Sequence, residues 1–189
     1  MAYITLAKLK EDLNIAEDED DYILEQKIDA AQSTIEFLTG RVFEAVSATR
    51  YYGLDALEGL ILWLDADLVS LTSVANGDSS GTAILTADIT LLPRNEGPPY
   101  DRLRLKAGSA SSWQVSTDYW IAVVGTWGWS TTPPAQIKQA CLRLAAHMYR
   151  LRDSDVFDVV AFPGEGVMQI KKAIPIDVAN VIDFYTKRI

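Results

Sequence analysis

Cysteine and histidine are nearly missing from this chain: among 189 residues there is one of each, Cys141 and His147. A zinc site of ordinary Cys/His composition needs several such ligands, so that class is excluded. The two stand six residues apart on a helical pattern. About 600° of rotation leaves them roughly a third of a turn apart, which argues against a Cys–His nucleophile pair. The ordinary reading of the lone His147 is a helix-surface or packing residue. With no partner thiol in the chain, Cys141 suits a reducing compartment.

Long apolar runs are also lacking, none approaching the about 18 residues of a membrane span. The opening Met1-Ala2-Tyr3-Ile4-Thr5 has no basic flank leading into an apolar stretch, so a soluble, unexported protein is expected. Positive charge is scarce: 17 Lys and Arg stand against 26 Asp and Glu, a net charge of −9. Affinity for nucleic acid without sequence preference comes mainly from cations on phosphates, so that function is disfavoured. No phosphate-cradling Gly-rich loop, dinucleotide fingerprint or nucleophile elbow occurs. Asp65 with Asp67, or the carboxylates at 18–21, are conceivable ligands for a hard divalent cation. They lack the central glycine and distal bidentate Glu of an EF-hand, and 18–21 reads more simply as a solvated helix start. No cofactor, metal or catalytic residue is expected, and the chain reads as a non-enzyme.

What is present is a folding chain. Hydrophobic residues make up 49% of it, with five Trp and eight Tyr, enough apolar surface to offset the entropy of ordering the chain. Thr5 is placed to cap a helix over 6–13. The acidic residues Glu17, Asp18, Glu19, Asp20 and Asp21 lead into a second helix, where negative charge favours the N-terminus. Leu24, Ile28, Ala31, Ile35 and Leu38 recur at spacings of four and three and share one face, and Gly40 is placed to end the helix.

Near residue 49 the period changes. Short β-prone runs at 60–64, 68–74 and 83–92 alternate with turn residues, Asn76-Gly77-Asp78 among them. Asn95 to Pro99 reads as a loop, since successive prolines withhold ladder donors. Residues 102–106 alternate, with Leu103 and Leu105 on one face and Arg102, Arg104 and Lys106 on the other. Such a basic stripe ordinarily faces solvent; otherwise it would meet an acidic surface of another subunit. A run apolar on both faces at 120–124 reads as a central strand with Trp120 in the core, as Trp63 is in its own run. Trp127 and Trp129 sit in a Gly-rich turn, where they would anchor a protein interface or plug the junction with the helices.

Thr131 or Thr132 is placed to cap the next helix, with Pro133-Pro134 opening it. Ile137, Cys141, Leu144, Met148 and Leu151 form its stripe. A flexible stretch around Phe162-Pro163-Gly164-Glu165-Gly166 follows. Asp177 then caps a last helix with Val178, Val181, Ile182 and Tyr185 on one side.

The expected fold class is α+β: an antiparallel helical bundle of N-terminal and C-terminal helices, residues 1–48 and 131–189, with a small antiparallel β domain, 49–130, inserted between them. Two functional classes compete on residues alone. The β insertion, with Trp63, Trp113, Trp120, Trp127 and Trp129, could be a binding module for a carbohydrate or protein. The N-terminal helix pair could be a helix-turn-helix, though the acidic run opposes phosphate contact.

The order of elements adds a third reading. The stretch Ala30-Ala31-Gln32-Ser33-Thr34-Ile35-Glu36-Phe37-Leu38-Thr39-Gly40-Arg41, then Gly128-Trp129, then Pro133-Pro134-Ala135-Gln136-Ile137-Lys138-Gln139-Ala140 continuing through Ala145-Ala146-His147-Met148-Tyr149-Arg150, resembles the head-tail connector (adaptor) family of long-tailed phages and prophages. It covers about a third of the chain, and the combination is more distinctive than either half.

The resemblance implies a structural protein of the virion neck, made in the host bacterial cytoplasm. It implies a homo-oligomeric ring of about twelve copies on the portal protein. That ring would extend the DNA channel, bind the stopper or tail-completion protein, and let the genome pass without sequence-specific contact or any membrane contact. Portal docking by the family's C-terminal segment carries over onto Lys171, Lys172, Ile174, Ile176, Val178, Val181, Ile182, Tyr185 and Ile189; the alternative for Val178, Val181, Ile182 and Tyr185 is that they close the chain's own helical bundle. Glu17, Asp18, Glu19, Asp20, Asp21, Arg102, Arg104, Lys106, Trp127 and Trp129 are the candidates for subunit seams or the channel wall. The insertion at 49–130 departs from the shorter members of the family.

Overall fold

In the computed structural model the described residues are 2–77, 81–115, 120–152, 159–162, 166–169 and 174–187. They form an α+β molecule that divides into two compact units, Met1–Gly40 with Pro134–Ile189, and Arg41–Pro133.

The first unit is helical. Helix α1, Leu6–Leu13, begins where the Thr5 side chain accepts a hydrogen bond from the Lys8 amide, as its sequence predicts. Helix α2, Asp21–Thr39, buries Leu24, Ile28, Ala31 and Ile35, and Gly40 ends it in the left-handed conformation (φ 65°). Full burial of each Leu or Ile on that face contributes about 1.5–3 kcal/mol over exposure. The stripe departs from expectation at its end: Leu38 is exposed, and Thr39, four residues after Ile35, is buried in its place with its hydroxyl donating to the Ile35 carbonyl.

Helix α3, Ala135–Arg150, starts after its prolines, not on them. Pro134 is the N-cap, and no hydroxyl of Thr131 or Thr132 caps the helix. Ile137, Cys141 and Leu144 are buried as the stripe requires, while Met148 and Leu151 are only partly covered. Ala140, Leu142, Ala145 and Ala146 widen the buried face, the small alanines allowing close approach to α2. Helix α4 is Ile176–Tyr185. Pro175 is its N-cap, and Asp177 instead turns its carboxylate to Arg143 at 2.6 Å.

The second unit is a seven-stranded sheet whose named strands all pair antiparallel. Its strands are β1 (Val46–Tyr52), β2 (Leu57–Glu58), β3 (Ile61–Gly77), β4 (Thr82–Ile84), β5 (Ile89–Leu92), β6 (Tyr100–Leu105) and β7 (Trp120–Trp127). The main order is β1-β7-β3-β6-β5, with β2 and β4 also on β3.

Two expected strands, 60–64 and 68–74, are one long strand, β3. Its register shifts between Trp63 and Leu68 against β6, and again near Ser70 and Ser73 against β7. These irregularities break the alternation that would have revealed its length. The expected returning strand at 83–92 is likewise two: β4 on β3, then a 3-10 turn at Thr86–Asp88, then β5 on β6. Leu103, Leu105, Leu62, Leu68, Ile121, Val123 and Trp127 are buried in one core.

A separate two-stranded sheet pairs β8, Val159–Phe162, with β9, Gly166–Gln169. Phe162 and Gly166, expected in a flexible stretch, are the paired ends of that hairpin; Pro163, Gly164 and Glu165 lie outside the described residues.

Candidate functional site

No group of three or more Cys, His, Asp or Glu among the described residues is arranged to hold a metal ion. Nor is any helix among them long and apolar enough to cross a membrane. Cys141 is buried, and burial together with the charges of Glu36 and Asp29 pushes its thiol up to about 12. It is a neutral packing group at ordinary pH and a poor nucleophile. His147 lies in an open cleft of the helical unit with Asp12, Gln139, Arg143 and Arg150. The surfaces singled out in the sequence are therefore weighed as places of contact.

The acidic run is partly consumed within its own unit. Lys10 reaches from α1 to Asp18 at 2.6 Å and Asp21 at 2.7 Å, tying the two helices across their connection. Asp20 accepts hydrogen bonds from Tyr149 and from Arg152 at 2.9 Å, fastening the start of α2 to the end of α3. Those bonds, Arg152 foremost, hold its carboxyl below the usual carboxylate range. Glu17 and Glu19 are the exposed remainder, with no ion pair among the described residues.

The basic stripe is also divided. Arg102 forms an ion pair with Asp101 at 2.9 Å and lies over the Trp63 ring at 4.7 Å. Lys106 donates to the Ala87 carbonyl, and both it and Arg104 are exposed. Trp63 and Trp120, expected in the core, are 41% and 48% exposed. The β-branched and aromatic runs marked strands correctly but did not reveal which face of each strand met water.

Trp127 and Trp129 play different parts. Trp127 is buried in the sheet core, and its indole donates to the Ala48 carbonyl at 2.9 Å, so it is no exposed anchor. Trp129 is partly buried beside Phe43, with the Arg41 guanidinium 4.6 Å above its ring. Gly128 between them has φ 146°, and a Cβ there would come within 2.7 Å of the Ala45 backbone. Glycine is needed for that close approach.

Sequence reasoning missed the polar anchor of this corner. Arg41 donates to both oxygens of Asp67 at 2.6 and 2.7 Å, and Asp67 is only 6% exposed. A buried carboxylate requires such a partner, but 26 residues separate the two and no spacing rule links them.

In the C-terminal segment, Val178, Ile182 and Tyr185 are buried within the helical unit, and Tyr185 donates to Gln136 at 3.0 Å. Helix α4 packs this side against α3 and α2 within the unit. Val181 and Ile174 are partly covered, whereas Ile176 and Phe184 are 77% and 75% exposed. Lys171, Lys172 and Ile189 lie outside the described residues.

Comparison with known proteins gives two kinds of likeness. Residues 3–60 match the family model described as phage gp6-like head-tail connector protein, so the N-terminal part of the chain carries that family's sequence pattern. Among solved structures, a chain in the neck of an empty GTA particle, computed with C6 symmetry, is 21% identical with a TM-score of 0.67. That match covers 99% of this chain and 91% of the other. A chain of the virion of a native gene transfer agent particle is 22% identical, with a TM-score of 0.66 over the same shares. A third, from the neck of a native GTA particle computed with C12 symmetry, is 20% identical with a TM-score of 0.63, covering 97% of this chain and 89% of that one. At these identities the likeness is one of fold, and it extends through both units. No curated protein matches the chain in sequence.

Proposed function

We propose that this chain is a non-enzymatic head-tail connector of a phage-like particle. Copies form a ring on the portal vertex, lengthen the DNA channel, and present the docking surface for the stopper or tail. The observation that carries this reading is the joint one: the connector family's pattern over residues 3–60, and a fold shared from end to end with chains of phage-like particles. A family pattern confined to one helix pair would be weak support, and a fold match alone would leave function open.

The chemistry agrees. The net charge of −9 suits a channel wall past which DNA slides without being gripped. Glu17 and Glu19 are the exposed carboxylates of the acidic run open to such a role, and Arg104 is an exposed cation that would suit a neighbouring acidic surface. Portal docking falls to the segment from Ile174 onward, through the exposed Ile176 and Phe184, with the basic Lys171 and Lys172 just before it in sequence. The helical bundle, antiparallel between α2 and α3, is the scaffold, and the β unit is an insertion whose outer surfaces meet other neck components.

The exposed Trp63 and Trp120 favour a second reading, a virion module that binds carbohydrate or protein. Trp63 already has Arg102 over its ring and donates its indole N–H to Glu58 at 3.1 Å, which weakens it as a stacking platform. Deleting the gene from its phage or prophage tests the main reading. The expected result is filled or leaking heads and separate, complete tails; normal joined particles would contradict it.

A further inference from the structure

Strand β1 is an edge unlike the others. It pairs with β7 over all seven residues, and among the described residues no strand lies on its other side. Val46, Ser47, Ala48 and Thr49 are all exposed, so both faces of the strand meet water as well as its outer edge. Natural edges are usually blunted by proline, lysine, a bulge or shortness, because unpaired backbone groups recruit other strands. None of these devices is present. The one charge, Arg50, is held by Asp65 at 2.6 Å and lies over Trp127. The opposite edge, β5, is four residues long and partly covered.

The chain also holds strands short of a partner. The β8–β9 hairpin forms a sheet of its own, and among the described residues no third strand joins it. Val159, Val160, Ala161, Phe162, Val167 and Met168 make up most of it. An isolated two-stranded hairpin is marginal in water and needs a further strand or a packing surface.

Resting on the ring reading above, we infer that the β8–β9 hairpin of one copy adds to the β1 edge of the next. Donor and acceptor are different surfaces of the same chain, so the contact is head-to-tail. Such contacts propagate around an axis and close when the rotation allows. Backbone hydrogen bonds would supply the register, as in other cases of strand addition. The lengths are compatible: a four-residue strand spans roughly 13 Å and would cover about half of the roughly 23 Å edge.

The test uses cysteine pairing in the full chain, where native Cys141 is buried and does not compete. Ser47→Cys and Gln169→Cys are made singly and together, and each protein is mixed with its candidate portal protein, imaged by electron microscopy for rings, and oxidised. The double variant is expected to give a ladder of covalent oligomers on a denaturing gel, and the two single variants mixed should give a crossed dimer. Rings without a ladder would overturn the strand addition while leaving the ring reading intact. A disulfide within one copy, or Ser47→Cys linking only to itself, would also overturn it. Absence of rings and ladder alike would reject both. As an independent arm, Ser47→Lys with Thr49→Lys should keep the wild-type melting temperature and lower ring yield by tenfold or more; unchanged yield would count against the proposal.

Discussion

At the residue scale stability turns on a few buried side chains and the groups that hold them. Asp67 is the clearest: its carboxylate is enclosed in the sheet unit and both its oxygens accept from Arg41, which also covers Trp129. Removing one member of a buried pair strands the other charge, at a cost of about 3–5 kcal/mol. Arg41→Ala is therefore expected to lower urea-unfolding stability by about that amount, and Arg41→Ala with Asp67→Ala by less than the single change. An additive double variant would show that the pair is not coupled. Cys141 offers a second check. With its thiol pushed up to about 12 inside the helical unit, it should resist a thiol reagent at pH 8 in the native protein and react fully in denaturant. Fast native labelling would show that the packing around α3 is looser than described.

Among the elements, helices were more legible than strands. The four-three spacing located α2 and α3, and Thr5 and Gly40 marked real ends, because helix burial and capping are written locally. The errors came where a distant contact decided. Thr39 replaced Leu38 in the core because Thr39 sits one turn beyond Ile35 and satisfies its own hydroxyl. Strand β3 hid its length because its register slips, and Asp65 and Asp67 fell between the two expected runs, their partners Arg50 and Arg41 lying 15 and 26 residues back. At one slip β3 comes so near β7 that a Cβ on Gly125 would fall 2.6 Å from the Ser70 carbonyl oxygen. Gly125→Ala should then destabilise the protein by on the order of 1–3 kcal/mol in urea unfolding, although alanine usually suits a strand interior better than glycine. The α2–α3 junction makes a pH prediction. Asp20 titrates below the ordinary carboxylate range when folded, so its contribution is present above the unfolded value of about 3.9 and is lost as pH falls through the folded one. The melting temperature should drop on acidification below about pH 4, and Asp20→Asn should make that drop shallower.

On the scale of the whole molecule, the change of hydrophobic period showed that helices flank a β-rich middle, and the element order carried the connector resemblance. The exposed side of α4 was not legible, because a single sequence cannot say which apolar side of a helix its own chain consumes. Val178, Ile182 and Tyr185 are consumed, whereas Ile176 and Phe184 remain exposed. Phe184→Asp should consequently leave the melting temperature within about 2 °C of wild type, as exposed changes usually do, while weakening attachment to the portal severalfold in a co-sedimentation assay. The central claim is that copies of this chain stack on a portal as a ring, and cryo-electron microscopy of the purified chain mixed with its candidate portal protein tests that most directly. Annular density, added at the narrow end of the portal and fitted by both units of the chain, is the predicted result; a portal that stays bare at saturating concentrations of the folded chain would contradict it.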